Sequence, residues 1–284
     1  MELGKIEGIM QGAIDFHVHA GPDAFHKRRL NVLDLALQAK AMGMKAVVAK
    51  NHQFITASLA ALVNEMVPDF FLAGSICLNR ETGGLNPEVV EAAIKAGARV
   101  IWMPTSSSVI DSKGRPGISV LDNKGKLLPA AMTILELAKA HGITLGTGHV
   151  SLKEILALVT EAGRLKVAIT ITHPMTVGFG CTLTVEQQQE LVAMGAIIEH
   201  SFVACMPVLG GMNPKLMIDC IRTLGVENCI LDTDMGQDAN PSPPEAFRSM
   251  IGTMLQFGLT EGELEKLVKI NPARLLGLET GKIS

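Results

Sequence analysis

Two histidines separated by one residue, His17 and His19, form the most chemically distinctive part of the sequence, within the segment Asp15-Phe-His-Val-His-Ala-Gly-Pro-Asp23. An apolar pair precedes this segment and a Gly-Pro turn interrupts it, which is typical of the end of a β-strand. Because alternate side chains of a strand share a face, we expect both imidazoles and Asp15 to point the same way. Burying three polar groups together is costly unless something binds them. The segment therefore predicts either a divalent metal site, for which neutral imidazole is a standard ligand, or a pair of hydrogen-bonded histidines.

The elements that position these histidines alternate between short apolar strands and amphipathic helices. The eight predicted strands cover residues 13–19, 45–52, 70–78, 99–104, 143–150, 167–173, 196–202 and 229–234. A helical pattern follows each strand, and residues 244–278 read as two or three further helices. This alternation predicts a single α/β domain over residues 1–284, a (β/α)8 TIM barrel with a C-terminal helical extension. An open doubly wound sheet is the alternative, but no Gly-x-Gly-x-x-Gly follows the first strand.

A long connection, residues 105–128, interrupts the regular alternation. Two apolar arms flank Asn123-Lys-Gly125 within it, which predicts a hairpin. Loops of this length in compact domains are usually functional. We therefore expect this loop to cover a site.

Polar residues collect where the predicted strands end. Six of the eight histidines lie at such ends, namely His17, His19, His52, His149, His173 and His200. Because the carboxyl ends of all barrel strands meet at one mouth, these side chains should converge there. Histidines scattered through a core would have no reason to prefer that edge. The placement favours the metal site over the hydrogen-bonded pair.

With these residues in place, the sequence resembles the amidohydrolase superfamily of metal-dependent hydrolases over nearly its whole length. The resemblance rests on a His-x-His pair on strand one, histidines closing strands five and six, an aspartate ending strand eight, and a helix after the barrel. The corresponding residues are His17, His19, His149, His173, Asp234 and the segment Asn271-Pro-Ala-Arg-Leu-Leu-Gly-Leu278.

The resemblance implies a role for each of these positions. His17 and His19 would bind the more buried metal together with Asp234. His149 and His173 would complete a second site; in members with one metal, His149 is a ligand and His173 contacts the reacting water or the substrate. Asp234 would also be the general base, so the expected catalytic residues are Asp234 and His173. The implied cofactor is a divalent metal, with zinc favoured, at one or two ions per chain.

The sequence departs from the superfamily pattern at strand four. Members with two metals carry a bridging carboxylated lysine or glutamate around strands three and four, and residues 100–105 contain neither. Glu81 is a candidate bridge, although it could equally form a salt bridge in its loop. A single metal is therefore slightly favoured.

Further polar residues near the mouth are candidates for contacts with the ligands or the substrate. These are Lys50, His52, Glu199, His200 and Asp232, with Asp232 expected to support Asp234 rather than bind metal. Four loop arginines, Arg28, Arg29, Arg80 and Arg115, have a surface role as the default expectation, although one of them could bind a substrate carboxylate.

The residues and the resemblance together predict a metal-dependent hydrolase that attacks an amide, lactone, ester or related bond of a small molecule. No Gly-x-Ser-x-Gly segment is present to support a serine nucleophile. A metal-dependent decarboxylase or lyase of the same superfamily is the alternative, and a non-catalytic metal-binding barrel is a third hypothesis.

Composition limits the other partners. The 284 residues are 48% hydrophobic and 19% charged, with a net charge of −3 and no long basic run, so neither nucleic acid nor a membrane is an expected partner. No apolar stretch approaches the roughly 20 residues of a membrane helix. The five cysteines include no Cys-x-x-Cys, which indicates a reduced, cytoplasmic protein. Homo-oligomerisation stays open.

Overall fold

Eight parallel strands form one sheet in which each strand pairs with the next along the chain. The computed structural model describes residues 3–278. The strands are β1 (Ile14–His19), β2 (Ala46–Lys50), β3 (Phe71–Cys77), β4 (Ala98–Trp102), β5 (Thr144–Gly146), β6 (Ile169–Ile171), β7 (Ile197–Ser201) and β8 (Cys229–Asp232). The segment after β8 returns to β1, where the N–H of Asp234 donates to the carbonyl of His17 at 2.9 Å. These contacts close the sheet, and the predicted (β/α)8 barrel is confirmed.

Helices connect the strands and cover the outside of the barrel. They are α1 (Leu3–Met10), α2 (Val32–Ala41), α3 (Ala57–Met66), α4 (Pro87–Lys95), α5 (Pro129–His141), α6 (Leu152–Leu165), α7 (Val185–Ala193), α8 (Pro214–Leu224), α9 (Pro243–Gln256), α10 (Glu261–Glu265) and α11 (Asn271–Leu276). A π-helical turn, Lys266–Ile270, joins the last two. Helix α1, which precedes the barrel, was not predicted. Within residues 3–278 no helix combines the length and apolar character needed to cross a bilayer.

Alternation along the strands separates two apolar layers. On β2, Val47 and Ala49 belong to the large cluster that packs against the helices, whereas Ala46 and Val48 belong to a smaller cluster of strand residues. This smaller cluster fills the barrel interior, as the period of two requires. Lys50 continues the inward series, which places its ammonium group inside the barrel at the carboxyl end of β2.

The barrel interior is shaped by one large ring and closed by the last helix. Trp102, at the end of β4, is fully buried. Gly146 on β5 leaves room for it, because a Cβ atom there would lie 2.3 Å from the indole ring. Leu275 and Leu276 of α11 pack against the same interior cluster. Apolar side chains therefore fill the barrel interior, and the polar residues lie at the carboxyl end of the strands.

The structure shortens all eight strands relative to the sequence prediction. β2 ends at Lys50 and β8 at Asp232, so His52 and Asp234 follow their strands. The loss is greatest at β5 and β6. β5 ends at Gly146 and β6 ends at Ile171, so His149 and His173 lie on the loops that follow these strands. In the long loop, the predicted hairpin is reduced to a single antiparallel bridge between Leu121 and Leu127.

The helical extension is attached through Asn271, which starts α11 and is 3% exposed. Its side-chain amide donates to the carbonyls of Cys229 at 2.7 Å and Val226 at 2.9 Å. Replacing Asn271 by Ala leaves two carbonyls without this donor, so we expect the free energy of unfolding to fall by about 1–3 kcal/mol. Urea denaturation measures this loss. The exposed neighbour Arg274 is the control: Arg274→Ala should cost less than about 0.5 kcal/mol, and an equal loss in both variants would contradict the role given to Asn271.

Candidate metal centre

Three predicted ligands converge where β1 meets the segment after β8. The Nε2 atoms of His17 and His19 each lie 3.2 Å from the same carboxylate oxygen of Asp234, Oδ1. Ligands bound about 2.0–2.1 Å from a tetrahedral zinc ion are separated by about 3.3 Å. The spacing of these three atoms therefore fits a divalent metal of that size.

The hydrogen bonds of His17 fix which of its nitrogens can bind a cation. Lys50 Nζ lies 2.9 Å from His17 Nε2, and an ammonium group can only donate, so Nε2 carries the lone pair. His17 Nδ1 must then donate to Glu199 Oε1 at 2.7 Å. Consequently the two acceptor atoms His17 Nε2 and Asp234 Oδ1 face each other and repel. A neighbouring cation would offset this repulsion. Because Nε2 has one lone pair, Lys50 and a metal ion would compete for it.

A second pair of imidazoles lies beside this group. His149 Nε2 and His173 Nε2 are 3.2 Å apart. His149 Nδ1 is 2.5 Å from the carboxylate of Asp111, which holds the proton on Nδ1 and leaves the lone pair of Nε2 facing His173. The backbone N–H of Gly180 also donates to Asp111, at 3.1 Å. Asp111 lies in the long loop and was not predicted, because no periodic pattern identifies a supporting carboxylate within a loop.

Burial keeps the imidazoles of this site in the neutral form that binds metals. Loss of solvent lowers the pKa of His17, His19 and His52 well below the usual range, and nearby positive charges lower it further. Burial lowers the pKa of His149 as well, although hydrogen bonding to Asp111 opposes the shift. For His173 the pKa falls to about 3.

Carboxyl groups lie beneath the histidines, deeper in the barrel. Burial raises the pKa of Glu199 to about 8, while the charge of Lys50 opposes this. Burial and the neighbouring Glu199 raise the pKa of Asp232 well above its usual range. Asp232 accepts a hydrogen bond from the Ser201 hydroxyl at 2.7 Å. Asp232 is the last residue of β8 and is fully buried, whereas Asp234 follows β8 and lines the cavity above the site.

The backbone is strained at two of the predicted ligands. His173 and Asp234 have φ values of +30° and +49°, a region that residues other than glycine rarely occupy. Gly236 follows Asp234 with φ +132°, and a Cβ atom there would lie 1.7 Å from the His19 carbonyl oxygen. Glycine is thus required for the close approach of this segment to β1. Such strained residues cluster at functional sites.

Asp15 departs from the sequence prediction. The pairing of β1 with β2 shifts in register between Asp15 and Val18, so the simple alternation through His17 does not hold. The carboxylate of Asp15 accepts the N–H of Thr233 at 3.0 Å and its hydroxyl at 2.6 Å. Asp15 therefore joins β1 to β8, whereas the histidines are free to face the mouth.

The remaining candidates divide into those at the cavity and those away from it. Lys50 and His52 line the cavity, and His52 Nδ1 lies 2.7 Å from the Thr105 hydroxyl. Glu81 is exposed in a short 3₁₀-helix after β3 and does not line the cavity, so it is poorly placed to bridge metals. His200 is buried, but neither ring nitrogen has a partner among residues 3–278, and it does not line the cavity either.

A family model matches residues 12–199, and its description is a family of unknown function, DUF6282. The chain belongs to this family. No curated protein matches the sequence.

Several solved structures share the fold. An amidohydrolase from Pseudomonas aeruginosa aligns with TM-score 0.68 at 11% identity, covering 98% of this chain and 100% of that one. A 2,6-dihydroxybenzoate decarboxylase from Rhizobium aligns with TM-score 0.63 at 13% identity, covering 95% and 99%. A variant of an organophosphorus hydrolase from Deinococcus radiodurans aligns with TM-score 0.59 at 14% identity, covering 95% and 94%. At these identities the likeness shows the fold alone, and the predicted barrel is the fold that these structures share with this chain.

The contact between Lys50 and His17 predicts the direction in which the affinity for a divalent metal changes when Lys50 is replaced. Lys50→Met removes a positive charge and frees the Nε2 lone pair, so we expect divalent metal to bind about tenfold more tightly or better. Competition with a chromogenic zinc chelator measures the affinity. The matched control is Lys45→Met, at the opposite end of β2, which should leave the affinity unchanged. Weaker metal binding in Lys50→Met would show that Lys50 supports the metal rather than competing with it.

Proposed function

We propose that this chain is a metal-dependent hydrolase that uses an activated water to attack an amide, ester, lactone or related bond of a small molecule. The observation that supports this most is the convergence of His17 Nε2 and His19 Nε2 on one oxygen of Asp234, each at 3.2 Å. Two neutral imidazoles and a carboxylate form a ligand set typical of catalytic zinc sites. We propose zinc as the cofactor on this basis.

In this proposal, metal binding and proton transfer are assigned to particular side chains. His17, His19 and Asp234 would hold the metal, and His149 with His173 would complete its coordination or hold a second ion. When bound, a divalent metal lowers the pKa of a coordinated water to about 7 and polarises a carbonyl or phosphoryl oxygen. Asp234, whose side chain is 12% exposed to the cavity, would accept the proton of the attacking water and return it to the leaving group.

The supporting residues would keep these groups in position. Glu199 holds the proton on His17 Nδ1, and Asp111 does the same for His149. Such partners fix the tautomer and the ring orientation of metal-binding histidines. His173 would contact the reacting water or the substrate if only one metal is bound.

A second candidate function is a metal-dependent decarboxylase or lyase. The absence of a metal-bridging side chain on β4 favours this candidate. Trp102 occupies the interior end of that strand, and its ring centroid lies 4.9 Å from Lys50 Nζ. A site with one metal is the simpler arrangement without a bridge. One of the structures with this fold is a decarboxylase.

Metal removal tests the metal dependence of both candidates, and the products formed separate them. We expect elemental analysis to find one or two divalent ions per chain, and chelator treatment to reduce turnover by at least about 100-fold, with zinc restoring it. The assay combines a panel of esters, lactones and amides with measurement of CO₂ release from carboxylated substrates. Full hydrolytic activity in metal-free protein would contradict the proposal. Release of CO₂ without hydrolysis would favour the decarboxylase, and bound metal without either reaction would favour a non-catalytic barrel.

Asp232, which ends β8, and Asp234, two residues later, should differ in their effect on turnover. Asp234→Asn keeps the shape but removes the proton acceptor, so we expect the rate at saturating metal to fall by roughly 10²–10⁴. Asp232→Asn alters only a supporting contact and should cost about 10–100-fold. If Asp232→Asn is inactive and Asp234→Asn is nearly normal, the general base has been assigned to the wrong aspartate.

A further inference from the structure

The cavity above the candidate metal centre has two chemically different sides. Its volume is about 260 Å³. Its polar lining includes His19, His149, His173 and Asp234, together with Lys50 and Arg28. The other side is apolar and is formed by Phe179, Val203, Val208 and Leu209, on the loops after β6 and β7. Phe179 and Val208 are 43% and 57% exposed, although exposing large apolar side chains to water is unfavourable. This wall is suited to an apolar group of a ligand.

Arg28 is held in place with most of its hydrogen-bonding capacity unused. Its side chain is only 7% exposed, and its Nε donates to the carboxylate of Asp23 at 2.7 Å. Asp23 is itself fixed, since it accepts the backbone N–H groups of Phe25 at 2.9 Å and His26 at 3.0 Å. Within residues 3–278, the two terminal nitrogens of the guanidinium have no acceptor. A planar pair of amino groups at a cavity wall matches the two oxygens of a carboxylate.

The charge of the cavity supports an anionic ligand. Arg28 and Lys50 contribute two positive charges to its wall, and Asp234 contributes one negative charge. The metal of the proposed function would add two more positive charges. In a partly enclosed site of lowered dielectric, such an excess favours an anion over a neutral molecule of the same shape.

We propose that the substrate carries a carboxylate next to an apolar group, with the carboxylate bound by Arg28 and the apolar group placed against Phe179 and Val208. This inference rests on the proposed function for the position of the reacting bond, which would lie between these two contacts and Asp234. Arg28 acts here as a specificity-determining residue. Asp23 acts as a positioning residue, because it orients the guanidinium from the side away from the cavity.

Binding of simple probes tests this inference without knowledge of the substrate. Isothermal titration calorimetry compares hexanoate, acetate, hexan-1-ol and hexyl phosphate, on zinc-loaded and on chelator-treated protein. We expect hexanoate to bind at least about tenfold more tightly than acetate, which lacks the apolar chain, and than hexan-1-ol, which lacks the charge. Tighter binding of hexyl phosphate than of hexanoate would overturn the assignment of a carboxylate.

Variants of Arg28 identify the residue responsible. Arg28→Met should weaken hexanoate binding by about 10- to 100-fold and leave hexan-1-ol unchanged. Arg28→Lys keeps the charge but loses the planar guanidinium group, so we expect hexanoate affinity to fall by an intermediate factor of about ten. This variant keeps the test valid if Arg28→Met is unstable. Arg115→Met, at an exposed loop arginine, is the matched control and should bind like the wild type. Unchanged hexanoate binding in both Arg28 variants would overturn the proposal.

The chelator-treated protein separates this inference from the proposed function. Hexanoate binding that depends on Arg28 in metal-free protein supports the carboxylate site even if no metal chemistry is found. Hexanoate binding that requires zinc but not Arg28 would support a metal site and contradict the role of Arg28.

Discussion

The hydrogen bond between His17 and Glu199 is the interaction on which the mouth of this barrel depends. It crosses the barrel from β1 to β7, is wholly shielded from solvent, and joins atoms 2.7 Å apart. Because His17 Nδ1 donates to Glu199, the lone pair of Nε2 faces Asp234 and Lys50, where a cation is needed. Removing Glu199 would leave His17 Nδ1 without its acceptor, and the contact with Lys50 alone would then fix the tautomer of this ring.

Closure of the barrel is what brings this interaction about. The segment after β8 returns to β1 through the backbone bond from Asp234 to His17, and Asp15 secures the same junction by holding Thr233. The first strand and the segment after the last one therefore bring the proposed ligands next to one another. The cost of burying so many polar groups is limited because the imidazoles are neutral and most of their nitrogens have partners. Among residues 3–278, polar groups without partners include Glu199 Oε2 and the terminal nitrogens of Arg28, which lie around the site.

Much of the fold, and the convergence of the candidate metal ligands, could be predicted from the sequence. The alternation of strands and helices specified the barrel, and the convergence of strand ends in any parallel barrel brought together His17, His19 and Asp234. Other features depend on tertiary contacts that no periodic pattern records. Asp111 reaches His149 from the long loop, and Lys50 turns inward onto His17 because of its register on β2. Arg28 was one of four equivalent loop arginines in the sequence, and its place on the cavity wall and its bond to Asp23 distinguish it.

The central claim is that His17, His19 and Asp234 hold one divalent metal, and anomalous diffraction from crystals of the zinc-loaded protein tests it most directly. Data recorded on either side of the zinc edge should show a peak about 2.0–2.2 Å from the Nε2 atoms of both histidines and from the carboxylate of Asp234. Lys50 Nζ should have moved away from His17 Nε2, since the two cations share one lone pair. An anomalous peak found only elsewhere, with Lys50 still bonded to His17, would contradict the account.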